Sequence, residues 1–75
     1  MLKLSPREQA AEALRQVLES LPEYDSTSLY DLARNPAASP QVVLRAAQVL
    51  HSRKHPYALH AELICAVDEA RKRLQ

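Results

Sequence analysis

Three histidines and one cysteine are the residues best suited by type to chemistry: His51, His55, His60 and Cys65. A structural zinc ion takes four nitrogen or sulfur ligands at tetrahedral positions. His51 and His55 share a helix face only if one helix runs through both, and Pro56 pushes His55 out of helical backbone. His60 and Cys65, five residues apart, leave a helix in well-separated directions. No Cys-x-x-Cys or His-Glu-x-x-His spacing occurs. A cysteine nucleophile needs a neighbouring cation or a helix N-terminus to hold its thiolate, and Cys65 stands among Ile64, Ala66 and Val67. No acid, base and nucleophile set converges. The expectation is no catalytic residue, no metal and no cofactor.

The elements that position these residues are helices. Glycine is absent from the 75 residues. That excludes glycine-rich phosphate loops and makes tight β-hairpins improbable. Alanine and leucine, the strongest helix formers of the apolar set, dominate the chain, and its aromatics are three tyrosines. The fold class expected is all-α: a compact bundle or orthogonal array of three main helices plus one short helix, forming a single domain over residues 1–75.

Helices are expected over about residues 6–21, 28–34, 40–53 and 56–74. Ser5, Pro6 and Glu8 form a capping box with proline at the first helical position. Ala10, Leu14, Val17, Leu18 and Leu21 follow as an apolar stripe, and Pro22 stops the helix. Ser28 with Asp31 marks a short second helix ended by Asn35-Pro36. Ser39-Pro40 opens a third helix, with Val43, Ala46, Ala47 and Leu50 as its core stripe. Pro56 opens the last, with Leu59, Leu63, Val67, Ala70 and Leu74 facing the core.

The last helix carries more apolar residues than one stripe needs. A helix apolar on several flanks is buried on more than one side. Tyr57, Ala61, Ile64 and Cys65 lie away from the Leu63 stripe and are the candidate contact patch for a protein partner or a second copy. Burial of this side, with rim charges setting orientation, is the expected mechanism of a small adaptor, regulator or chaperone-like partner.

Charge offers an alternative. The formal net charge is only +1, but residues 1–35 are net acidic and residues 36–75 net basic. Gln41, Arg45, Arg53 and Lys54, with His51 and His55 nearby, could form a nucleic-acid-binding face on a helix-turn-helix built from the second and third helices. Its opening turn, Pro40-Gln41-Val42-Val43-Leu44, holds little that reads bases. Nucleic acid is therefore the second expectation.

The stretch from Leu32 to Leu44, with its Leu-Ala-Arg-Asn-Pro opening, resembles one unit of the leucine-rich-repeat-variant family. It is also similar to the Asn-Pro-x-x-Pro turn of type III secretion needle subunits. Three residues separate Pro36 from Pro40, where both patterns have two. The resemblance covers about 13 residues without a second copy, and no function follows from it.

No apolar run approaches the ~20 residues of a membrane span. Met1–Glu8 lacks the apolar stretch of a signal peptide, Leu2 stands where myristoylation needs glycine, and one cysteine cannot close an internal disulfide. The expected location is cytoplasmic.

Overall fold

A computed structural model describes residues 5–75, and the features noted at Met1–Leu4 lie outside them. Four α-helices occur among the described residues: α1 (Pro6–Ser20), α2 (Ser26–Arg34), α3 (Pro40–Ser52) and α4 (Ala61–Leu74). Single 3₁₀ turns at Leu21–Glu23 and Pro56–Leu59 precede α2 and α4. The fold is all-α, three main helices with the short α2 packed among them. No described helix is long and apolar enough to cross a membrane.

Local sequence sets the starts of these helices. The Glu8 amide donates to Ser5 Oγ and the Ser5 amide donates to Glu8 Oε2, each at 3.2 Å, which completes the capping box of α1. Ser39 caps α3 by accepting from the Val42 amide, with Pro40 behind it at the first helical position. The start of α2 differs from the expected Ser28. Asp25 is the cap, accepting from the Ser28 amide and, at 2.6 Å, from the Ser28 hydroxyl. A carboxylate binds the exposed amides more strongly than a hydroxyl does and also complements the helix dipole. The Ser28 hydroxyl holds the Asp25 carboxyl below the usual carboxylate range.

α3 is the centre of the molecule. It packs most extensively against α2 and α4 and more lightly against α1. Six of its residues are buried: Val42, Val43, Ala46, Ala47, Val49 and Leu50. Leu21, Leu29, Tyr30, Ala33, Ala58, Leu63 and Ala70 complete the core around it. Alanines at Ala33, Ala46, Ala47 and Ala70 let the helix axes approach closely.

Two expected stripes change in the folded chain. In α1 no residue is buried; Leu14 and Leu18 are half-buried, and Val17 is exposed. Only the C-terminal part of α1 reaches the core, through Leu14, Leu18 and the following Leu21. The radius of gyration is 13.4 Å, against about 11 Å for a compact chain of this length.

The expected helix over 56–74 is two pieces. His60 has extended backbone (φ −67°, ψ 137°) between the 3₁₀ turn and α4. That break resets the helical phase, so Leu59 leaves the Leu63 stripe and is 76% exposed. Ala58 is buried in its place. Leu63 and Ala70 keep their expected inward positions, Val67 is half-buried, and Leu74 is exposed.

α3 ends in a Schellman motif without glycine. The His55 amide donates to the Leu50 carbonyl and the Lys54 amide to the His51 carbonyl, both near 3.0 Å. Lys54 takes the left-handed conformation this closure demands, at φ 55°. A Cβ in that region costs about 1 kcal/mol that glycine avoids. Lys54→Gly is expected to raise stability by roughly 0.5–1 kcal/mol, seen as a higher urea midpoint with an unchanged m-value.

Candidate functional site

The sequence-predicted contact residues separate into two environments. Tyr57, in the turn before α4, is half-buried and belongs to an aromatic cluster. Its ring meets Tyr30 of α2 edge-on at 4.4 Å, His55 at 4.6 Å and His60 at 5.2 Å. Ala61, Ile64 and Cys65 are exposed on α4. At about 100° per residue they lie roughly 100–200° around the helix from the buried Leu63 and form one continuous outer side. Ile64, 51% exposed, borders the flank that carries Val67 and Arg71. Ala61 and Cys65 border a shallow trough with Arg34, Glu62 and Glu69.

The aromatic cluster is what sequence reasoning missed. The hydrogen-bond partner of His60 lies on α2. That partner is Tyr30, whose hydroxyl lies 3.0 Å from His60 Nδ1 and 3.4 Å from Glu62 Oε2. The Arg34 guanidinium stacks on the Tyr30 ring at 4.2 Å and donates to Glu62 at 2.9 Å and Asp31 at 2.8 Å. His55 Nδ1 accepts from the Tyr57 amide and caps the 3₁₀ turn. The contacts of Arg34 with Tyr30 and Asp31 and of Tyr57 with His55 and His60 are local; those that join the two groups link residues some thirty positions apart.

This cluster locks α2 to the break before α4. Burial, and then the Glu62 charge, push the Tyr30 hydroxyl above the usual tyrosine range. A phenolate base at neutral pH needs the opposite shift. Glu62 is committed to Arg34. The geometry therefore suits a structural clasp. No group of three or more His, Cys, Asp or Glu residues is arranged to hold a metal ion among the described residues, and Cys65 is a free, exposed thiol.

The alternative basic residues also separate. Arg53 donates to the Pro22 carbonyl at 2.7 Å and to Ser26 Oγ at 3.2 Å, tying the end of α3 to the start of α2. Lys54 is the exposed left-handed residue that closes α3. Gln41, Arg45 and Gln48 fall on one exposed strip of α3, and Arg45 donates to Gln48 at 2.8 Å.

That strip borders a groove of about 890 Å³ between α1, α3 and α4. Leu18, Leu44, Ala47 and Val67 give it an apolar floor, and Arg15, Glu19, Arg45 and Arg71 give it a charged rim. Arg15 is paired with Glu12 at 2.6 Å, a hydrogen bond that lowers the Glu12 carboxyl and raises the guanidinium. Sequence reasoning found neither this groove nor Leu18 and Leu44 as its floor.

No protein family, curated protein or solved structure matches the chain.

Proposed function

We propose that this chain is a small, non-catalytic protein–protein interaction module that binds through the apolar side of its last helix. It would act as an adaptor, regulator or chaperone-like partner in the cytoplasm. One observation carries the reading: Ala61, Ile64 and Cys65 form a continuous exposed side of α4, with Leu59 exposed just before it, in a chain whose core is already complete on the opposite side. Ile64 gives this side its largest branched apolar surface and connects it to the Val67 flank of the groove. Tyr57 stands apart from this side, in the aromatic cluster with Tyr30, His55 and His60.

Ile64→Asp tests this reading without disturbing the core. The variant is expected to keep its far-UV circular dichroism and its urea midpoint, because the side chain is half in water. It is expected to lose at least about tenfold in affinity for a protein captured by the wild type, identified and rebound in purified form. Equal affinity of the two forms would defeat the reading.

The strip of Gln41, Arg45 and Gln48 favours nucleic-acid binding as the second reading. It requires retention on duplex DNA that falls steeply with salt. With Arg53 occupied and α3 buried on most of its circumference, Gln41, Arg45 and Lys54 would carry that contact.

A further inference from the structure

The groove between α1, α3 and α4 combines an apolar floor with unneutralised charge. Leu18, Leu44 and Val67 are half-buried there, continuous with the core through the buried Ala47. Arg45 from α3 and Arg71 from α4 line the same groove. The ion pairs formed among the described residues join Arg15 to Glu12 and Arg34 to Asp31 and Glu62, leaving Arg45 and Arg71 without a carboxylate. Two guanidiniums beside a low-dielectric wall attract an anionic ligand strongly.

We infer that this groove takes an amphipathic helix of a protein partner, with leucine-sized anchors on its buried face and carboxylates on the flank that meets α3 and α4. The inference rests on the interaction-module reading and names its partner. The groove walls are helices whose backbone N–H and C=O groups are spent internally, so they offer no edge to an extended strand. A helix brings its own backbone satisfied and needs only side-chain contact. Its carboxylates pair with Arg45 and Arg71. A lysine or arginine on its other flank meets Glu19 on the α1 wall, which fixes the direction in which it lies.

A second copy fits this description less well. Its α1 is the acidic amphipathic helix within reach. However, the exposed apolar residues Ala10 and Val17 lie roughly 140–180° from Glu8, Glu12 and Glu19 around that helix. The apolar anchors and the carboxylates of α1 cannot enter one groove together.

Two synthetic helical peptides of about 18 residues test the inference. Both carry leucines at i, i+4 and i+7; one has glutamate and the other lysine on the flank. Titrated with the full chain at low salt and followed by fluorescence anisotropy, the glutamate peptide is expected to bind at least about tenfold tighter. Arg45→Glu with Arg71→Glu is expected to reverse that preference while circular dichroism stays unchanged. Equal binding of the two peptides, or a preference that survives in the double variant, would overturn the inference. So would a dimer of the chain itself that the double variant dissociates, since the occupant would then be a second copy. If the peptides are not discriminated while Ile64→Asp still loses its purified partner, this inference alone fails. If the preference holds and Ile64→Asp keeps its partner, the α4 side fails instead and the groove stands as the site.

Discussion

Leu50→Ala is expected to leave little folded protein at room temperature. Leu50 is 0% exposed and lies on α3, the helix against which all the others pack. Truncating a buried leucine to alanine costs about 2–5 kcal/mol, the larger values coming where the cavity cannot collapse. The core here includes Ala33, Ala46, Ala47 and Ala70, and alanine has no rotamer with which to fill a void. Closing the cavity requires whole helices to move. A single core in a chain of this size supplies roughly 3–5 kcal/mol in total, so the loss is of the same order as the whole. Urea titration followed by far-UV circular dichroism should show a wild-type transition and, for the variant, little or no folded baseline. A loss below about 1 kcal/mol would mean that Leu50 is not part of a shared core.

The second large effect is expected in α1. All six residues from Pro6 to Ala11 are exposed, and nothing in the helix is fully buried. A helix of this length is marginal in water unless tertiary packing supports it. Its support is the capping box at one end and the Leu14, Leu18 and Leu21 contacts at the other. The first two turns can therefore open without disturbing α2, α3 and α4. Native-state hydrogen exchange is expected to find amides of Gln9–Ala13 less protected than those of Ala46–Leu50 by at least about 100-fold, or roughly 3 kcal/mol. Uniform protection would show that α1 opens only with the whole domain. The low stability of α1 bears on function because Leu18 and Glu19 form one wall of the groove. A ligand seated there would tighten α1, and its protection should rise on binding.

Much of the helical framework is written in short-range signals. Ser5-Pro6-x-Glu8 and Ser39-Pro40 place two starts correctly because a cap is satisfied within three residues of itself. The proline-marked stops are local for the same reason. The start of α2 was displaced from Asp25 to Ser28 because the Asp25–Ser28 spacing offers two caps that sequence does not rank. The break at His60 was missed altogether. Pro56 does open a turn, but what ends that turn is the clasp of Tyr57 and His60 on Tyr30 of α2, a contact between residues far apart in the chain.

The candidate site divides along the same line. That Ile64, Ala61 and Cys65 lie off the Leu63 stripe follows from helical phase alone. The departure of Tyr57 from them follows from the reset at His60. The commitment of Arg53 to the Pro22 carbonyl could not be read from charge, because a guanidinium in sequence carries no sign of what it will meet.

The amino-acid sequence alone determined that this protein is helical, where α1 and α3 begin and most residues of the apolar stripes. Those properties depend on interactions spanning at most four or five positions. Tertiary structure decided how much of each stripe is covered, how the tyrosines and histidines join, and that Leu18, Leu44 and Val67 share a groove with Arg45 and Arg71. These outcomes depend on the angles at which helices cross, set by close packing across the whole core.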